Sequence, residues 1–206
     1  MNKINEAYKT TLNLAILGST RGTDLQAIID QIENPNIDEK LNAQINVVIS
    51  NKPDAYILER AKNHNLPAVC VSSKGKKRLE FDQELILELQ KYHIDIVILI
   101  GFMRILTPSF VDTFDGKIIN VHPSLLPKFA GGMDGDVHAE VIQSGEKITG
   151  CTVHMVSNEV DCGQILLQKQ CLVLTTDTPK TLKTKVQELE GEALVEVIKS
   201  WRIIVG

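Results

Sequence analysis

Short apolar runs rich in β-branched residues alternate with segments of helical periodicity along the first half of the chain, and this alternation limits the possible folds most. Strands are predicted at 12–17, 45–49, 68–71 and 94–100, and helices at 24–33, 54–63 and 79–92. Repeated strand–helix–strand units connect by right-handed crossovers into a parallel sheet that helices cover on both faces. The pattern therefore predicts a doubly wound α/β fold.

The expected strand order places a crevice on this sheet. We expect the order 3-2-1-4 for the first four strands, and such sheets bind ligands at the carboxyl ends of the strands where the order reverses. The loops at 18–23 and 101–107 follow strands one and four. A fifth strand predicted at 117–121 ends at the same rim. These three segments are the expected walls of a site.

The pattern changes after the fifth strand. A short helix is predicted at 137–143, followed by strands at 149–156 and 165–174 that a tight turn joins. Thr178 is expected to cap a last helix, and Pro179 suits its first position. The sheet is therefore expected to be mixed at its carboxyl-terminal side. A length of 206 residues, 43% of them apolar, fits a single domain.

Charge and composition exclude several classes of partner. The formal net charge is −4, and the basic cluster Lys74, Lys76, Lys77 and Arg78 is too short to follow a nucleic-acid backbone. No apolar run approaches the ~20 residues of a membrane span, and residues 1–11 lack the apolar stretch of a secretory signal. The four cysteines show no Cys-x-x-Cys spacing, which suits reduced thiols. We expect a cytoplasmic protein whose partners are small molecules.

The stretch IINVHPSLLPKF, residues 118–129, brings an amide and an imidazole together at a strand end. Asn120 and His122 are two residues apart and so lie on one face of the strand, which Pro123 ends. An amide donor beside a titratable imidazole suits acyl transfer, because the amide can stabilise an oxyanion and the imidazole can move a proton. The alternative is that both side chains only satisfy hydrogen bonds within the fold.

Two further segments extend this candidate site. Asp161, in SNEVDCGQILLQ, could orient the imidazole or serve only as a turn residue. The loop GSTRGTDLQAII, residues 18–29, follows strand one and begins a helix, a position that favours phosphate binding. The alternative is that Thr23 or Asp24 only caps the helix. No serine or cysteine lies in a nucleophile-elbow context, and no histidines have metal-ligand spacing. Neither covalent nor metal chemistry is predicted.

Five segments together resemble the glycinamide ribonucleotide formyltransferases, folate-dependent enzymes of purine synthesis in the formyltransferase superfamily. They are GTDLQAIID, ISNKPDA, IDIVILIGFMRIL, INVHPSLLPKF and TGCTVHMVSNEVDCGQILLQ. HPSLLP and the later Val-Asp-x-Gly turn are specific to the superfamily, and the GFMRIL segment and the glycine loop narrow the resemblance to this family. The resemblance extends roughly from residue 14 to residue 201.

The resemblance implies a reaction and a set of site residues. It implies transfer of the formyl group of 10-formyltetrahydrofolate, a cosubstrate, to the amine of glycinamide ribonucleotide, without a metal, by a monomer or homodimer. The implied catalytic residues are Asn120, His122 and Asp161. The implied substrate-binding residues are Gly22, Thr23, Asp24, Gln187 and Glu190. The implied cofactor-binding residues are Arg78, Met103, Arg104, Ile105, Leu106 and Asn120. The single domain, 1–206, would comprise a Rossmann-like, phosphate-binding half at 1–116 and a half at 117–206 that completes the folate cleft.

Two features depart from the family pattern. The family usually has Asn where this chain has Asp24, and a phosphate repels a carboxylate unless that carboxylate turns away to cap the helix or Arg21 compensates. The glycine-rich loop at 130–136 is longer than the usual form, so no function is assigned within it. His154 lies on an alternating strand and is expected to be structural.

Three alternatives stay open at this point. Methionyl-tRNA formyltransferase normally adds a carboxyl-terminal RNA-binding domain, and formyltetrahydrofolate deformylase an amino-terminal regulatory domain. We expect neither, because the chain ends soon after Trp201 and eleven residues precede the first strand. A non-catalytic phosphometabolite-binding protein could use the same fold, and Asp24 is the feature that favours it.

Overall fold

The computed structural model describes residues 11–34, 36, 40–131 and 136–205. The absence of a secretory signal was predicted from residues 1–11, most of which lie outside the described residues, as do residues 132–135 of the glycine-rich loop. In the part of the chain that is described, no helix combines the length and the apolar character that crossing a membrane requires.

Seven strands and six helices make up the described fold. The strands are β1 (Leu12–Gly18), β2 (Ala43–Ser50), β3 (Ala68–Cys70), β4 (Ile96–Ile100), β5 (Ile118–His122), β6 (Ile148–Met155) and β7 (Ile165–Leu172). The helices are α1 (Thr23–Glu33), α2 (Tyr56–Asn63), α3 (Arg78–Leu89), α4 (Pro108–Thr113), α5 (Val137–Gln143) and α6 (Pro179–Val205).

One sheet contains all seven strands in the order β3-β2-β1-β4-β5-β6-β7. Strands β1 to β5 pair in parallel, whereas β5 with β6 and β6 with β7 pair antiparallel. The predicted doubly wound α/β fold, its 3-2-1-4 order and its mixed carboxyl-terminal side are therefore confirmed. The order reverses between β1 and β4, where the crevice was expected.

Helices cover both faces of the sheet, which explains why the central strands are apolar throughout. Leu14 and Ile16 of β1 pack on one side with residues of α1, α2 and α6. Ala15 and Leu17, which alternate with them, pack on the other side with residues of α3 and α4. All five residues of β4 are buried, so an alternating polar pattern would be unfavourable there.

Helix ends account for most differences between the predicted and observed elements. Helix α2 begins at Tyr56, because residues 52–55 form a turn closed by the Ala55 amide and the Lys52 carbonyl at 3.3 Å. Helix α4 was not predicted, although Thr107 caps it by accepting a hydrogen bond from the Phe110 amide. The tight turn predicted between β6 and β7 is wrong, since residues 156–164 form a longer connection.

Candidate active site

The loops after β1 and β4 are tied together beside a cavity of about 770 Å³. The Ser19 hydroxyl donates to Asn51 Oδ1 at 2.6 Å and accepts a hydrogen bond from the Met103 amide at 2.8 Å. Gly101 adopts φ +54°, and a Cβ there would lie 2.6 Å from Thr20 Oγ1. The close approach of these two loops sets the wall of the cavity at the point where the strand order reverses.

Most of the predicted site residues line this single cavity. Those that line it are Thr23, Asp24, Met103, Arg104, Ile105, Leu106, Asn120, His122, Asp161, Gln187 and Glu190. Gly22 lies directly before this lining, as the N-cap of α1. Arg78 is exposed at the beginning of α3 and is not part of the lining. Distant chain segments therefore meet at the cavity, with Arg78 outside it.

Strand β5 and the β6–β7 connection bring the three predicted catalytic side chains together. Asn120 and His122 lie on β5, and His122 is 6% exposed. His122 Nδ1 is 3.4 Å from Asp161 Oδ2. Asp161 Oδ2 also accepts a hydrogen bond of 2.8 Å from the Gly131 amide. An amide, an imidazole and a carboxylate are thus neighbours at one end of the cavity.

Both ring nitrogens of His122 face oxygen acceptors. Nε2 is 3.0 Å from the Phe129 carbonyl oxygen, and Nδ1 faces the carboxylate of Asp161. A neutral imidazole carries one N–H group, so only the protonated ring can donate to both oxygens. The surroundings of His122 therefore suit an imidazolium that can give up a proton.

His154, expected to be structural, lies close to two of these side chains: Asn120, and Asp161, whose Oδ1 is 3.6 Å from His154 Nε2. His154 lies opposite Asn120 in the β5–β6 ladder, and its Nε2 is 3.1 Å from Asn120 Nδ2. Its Nδ1 is 2.9 Å from the Met155 carbonyl oxygen, so a ring protonated only at Nδ1 donates there and accepts from the Asn120 amide. Burial lowers the pKa of His154, which favours this neutral form. The contact fixes which way the Asn120 amide points.

The chain places Asp161 by an uncommon backbone conformation. Asp161 has φ +55°, in the left-handed region that few non-glycine residues adopt. Two residues later, a Cβ on Gly163 would lie 1.7 Å from the Met155 carbonyl oxygen. The absence of a side chain at Gly163 lets the connection fold back on β6, which brings Asp161 to β5.

The amino end of α1 differs from the capped helix that was considered. Gly22 is the N-cap at φ 65° and has no side chain to bond the first turn. Asp24 is 6% exposed, and its Oδ1 atom has no hydrogen-bond partner among the described residues. The alternative that Thr23 or Asp24 caps the helix is therefore wrong. Burial raises the pKa of Asp24 to about 7, an effect that Arg60 partly offsets.

Helix α6 forms the wall of the cavity near Asp24. Lys183, Gln187 and Glu190 all line it, and their spacing of four and three residues puts them on one helix face. Glu190 is 7% exposed. Burial and the charge of Asp24 raise the pKa of Glu190, and Lys183 lowers it. Lys183 was missed, although the same spacing could have identified it.

The segment after β4 forms another part of the lining. Met103 and Ile105 are each 42% exposed, whereas Leu106 is buried. The Arg104 guanidinium lies 4.7 Å from the centre of the Phe81 ring, a cation–π distance. This apolar segment with a fixed cation could hold a flat, partly polar ring system.

The cavity lies where the strand order of a mostly parallel sheet reverses. An amide, an imidazole and a carboxylate meet at one end of this cavity. Together they define an α/β protein suited to acyl-group transfer. Residues 12–198 match the family described as Formyl transferase. The chain belongs to the formyl transferase family.

Individual relatives agree with this family. The chain is 40% identical over 202 residues to the human trifunctional purine biosynthetic protein adenosine-3, covering 96% of this chain and 19% of that protein. It is 37% identical over 191 residues to the Escherichia coli phosphoribosylglycinamide formyltransferase, covering 92% of this chain and 86% of the other. The solved phosphoribosylglycinamide formyltransferase of Coxiella burnetii is 36% identical, with a TM-score of 0.85 over 93% of this chain and 87% of that one.

Proposed function

We propose that this chain transfers the formyl group of 10-formyltetrahydrofolate to the amine of glycinamide ribonucleotide. The relatives named phosphoribosylglycinamide formyltransferase support this proposal, since two of them match this chain over more than 85% of their own length. The observation that carries it is the approach of His122 Nδ1 to Asp161 Oδ2, 3.4 Å, beside Asn120. It is the arrangement that acid–base chemistry at a formyl carbon needs.

The proposed reaction passes through a tetrahedral centre. The substrate amine attacks the formyl carbon, and the carbonyl electron pair moves to oxygen, where the Asn120 amide and protonated His122 stabilise the charge. The C–N bond to the folate then breaks as the oxyanion collapses. Protonated His122 gives its proton to the departing folate nitrogen, and the neutral ring then takes up the proton that the amine loses, while Asp161 holds the ring.

The two ends of the cavity suit the two substrates. We assign the ribonucleotide phosphate to Gly22, Thr23 and Asp24, because helix amino ends favour anions. Gln187 and Glu190 would bind the rest of that substrate. Residues 103–106 and Asn120 would bind the folate, while Arg78, outside the lining, stays a prediction from the sequence. In this assignment each substrate contacts both proposed halves of the single domain, 1–116 and 117–206: the first half supplies the phosphate loop and residues 103–106, and the second supplies Asn120, His122, Asp161, Gln187 and Glu190.

Further assignments accompany this function. We propose small molecules as the substrates, with no metal, nucleic acid or membrane partner, and a monomer or homodimer as the working form. We also propose the cytoplasm as the location. Four free cysteines support that location, because thiols are kept reduced there.

A spectroscopic assay of folate release separates the candidate functions. Folate product that forms only with glycinamide ribonucleotide present supports transfer, whereas product without it indicates a deformylase. No product from folded protein indicates a binding protein. We expect His122→Ala to lose about 100-fold or more in kcat while remaining folded. Near-normal turnover of His122→Ala would show that the assigned role is wrong.

A further inference from the structure

Asp24, a residue of the cavity lining, has a buried oxygen atom without a partner. The side chain is 6% exposed and lines the cavity in the first turn of α1, a helix of 11 residues. Its Oδ1 atom has no hydrogen-bond partner among the described residues. A buried polar atom without a partner is costly, and the cost is larger for a charged carboxylate than for a neutral carboxyl group, so this environment favours a protonated Asp24.

A second buried acid, Glu190, lines the same cavity. Gly191 packs so closely on α1 that a Cβ there would lie 2.7 Å from the Ala27 Cβ. This approach brings Glu190, the preceding residue, to the same cavity as Asp24. The charge of Asp24 raises the pKa of Glu190, and both side chains are buried.

Charged and titratable groups on five segments line the same cavity or act electrostatically on this pair. They are Arg21 in the loop after β1, Arg60 on α2, Cys151 on β6, His138 on α5 and Lys183 on α6. Arg60 lowers the pKa of Asp24 and Lys183 lowers that of Glu190, but burial outweighs both cations. With its pKa raised to about 7, Asp24 is poised to gain or lose a proton near neutral pH.

At the amino end of α1, the charge of Asp24 opposes the binding of an anion that the helix itself favours. The helix dipole and the first amides favour an anion there, but an ionised carboxylate beside that anion repels it. A neutral carboxyl group removes the repulsion and adds an O–H donor. Protonation therefore makes this position compatible with a phosphate.

We propose that the Asp24–Glu190 pair takes up a proton when the substrate phosphate binds at the amino end of α1, so that Asp24 donates a hydrogen bond to the phosphate. This inference rests on the proposed function and deepens it. The proton comes from solvent and stays on the carboxyl group while the ribonucleotide is bound. Binding of the phosphorylated substrate is thereby linked to pH in this chain.

Calorimetric titration with glycinamide ribonucleotide tests this linkage between about pH 5.5 and pH 8.5, in pairs of buffers with different ionisation enthalpies. We expect the wild-type protein to take up close to one proton per ligand at the alkaline end, with affinity falling up to about tenfold per pH unit above pH 7. Asp24→Asn should lose this uptake and bind about tenfold or more tightly than wild type at pH 8.5.

Two comparisons make the result specific. The phosphate itself titrates near pH 6, but it does so with every variant, so the difference between proteins isolates Asp24. Asp30→Asn removes the same charge from an exposed position of α1 and should keep the wild-type uptake and slope. Asp24→Ser supplies another neutral donor if Asp24→Asn does not fold.

The possible outcomes distinguish this inference from the proposed function. If the wild-type protein binds the ribonucleotide with no more proton uptake than Asp24→Asn, the inference is wrong and the proposed function stands. Wild-type affinity that rises with pH above pH 7 would likewise overturn the inference alone. If the wild-type protein does not bind the ribonucleotide at any pH in this range, both proposals are wrong.

Discussion

At the scale of single residues, His122 is held by contacts that suit its charged form. The Phe129 carbonyl oxygen is 3.0 Å from Nε2, and Asp161 Oδ2 is 3.4 Å from Nδ1. Asp161 supplies the only formal charge in these contacts. Replacing its carboxylate should therefore affect the imidazolium more than it affects substrate binding.

We predict that Asp161→Asn lowers kcat by about 100-fold and leaves KM for both substrates within a few-fold of wild type. The reason is that the amide keeps the size of the side chain but loses the charge that stabilises protonated His122. Steady-state kinetics on both substrates would measure this. Asp115→Asn, exposed and outside the cavity lining, is the control for net charge. A rise in KM alone would instead assign Asp161 to substrate binding.

Residue positions were predictable from the sequence where they depend on local geometry. The two-residue spacing of Asn120 and His122 predicts one strand face, and the structure has both on β5. The contact of His154 with Asn120 was not predictable, because it depends on the register between β5 and β6. The burial of Asp24 depends on how closely α6 packs on α1, which no local pattern records.

At the scale of elements, the connection between β6 and β7 decides whether the site is assembled. Residues 156–164 fold back so that Gly163 lies against the end of β6, and Asp161 adopts φ +55°. Such strained conformations persist where the surrounding structure determines them, often at functional sites. The geometry of this connection is therefore part of the candidate active site.

We predict that Gly163→Ala lowers kcat/KM at least tenfold and destabilises the protein by roughly 2–3 kcal/mol. Its methyl group would meet the Met155 carbonyl oxygen at 1.7 Å, so the connection must shift and carry Asp161 away from His122. Enzyme assays and urea unfolding would measure both effects. Gly145→Ala is the control, since its methyl group meets nothing within 4 Å at φ +69°, and it should lose stability but keep activity. Equal activity of the two variants would contradict the prediction.

Element types were predictable because the apolar period differs between strands and helices. The segment Pro179–Val205 begins at the proline that was expected to open it, and the Thr181 amide donates to Thr178 Oγ1 at 3.2 Å. The bounds of the β6–β7 connection were predicted to within one residue, as 157–164, but the connection is not the tight turn that was predicted, because turn residues such as Asp161 and Gly163 occur in tight turns and in longer loops alike. Six-residue helix α4 is too short for periodicity to reveal.

At the scale of the whole molecule, the buried acids give stability a pH dependence. Asp24 has an ordinary pKa of 3.8 and a pKa of about 7 in the folded chain, with burial as the first cause. Between these pH values the unfolded chain ionises while the folded chain holds its proton. The contribution of Asp24 to stability is therefore lost as pH rises from about 4 to about 7 and changes no further above that range. The loss is at most about 4 kcal/mol.

We predict that Asp24→Asn has a stability close to that of wild type near pH 4 and is more stable by about 2–4 kcal/mol at pH 8. The amide carries no charge to desolvate, so its stability does not fall across this window. Urea unfolding at several pH values would measure the free energy of unfolding of both proteins. Asp30→Asn, exposed on the same helix, should stay within about 0.5 kcal/mol of wild type throughout. A stability difference that does not grow with pH would mean that Asp24 ionises freely in the folded chain, and the pH-linked binding inferred above would lose its physical basis.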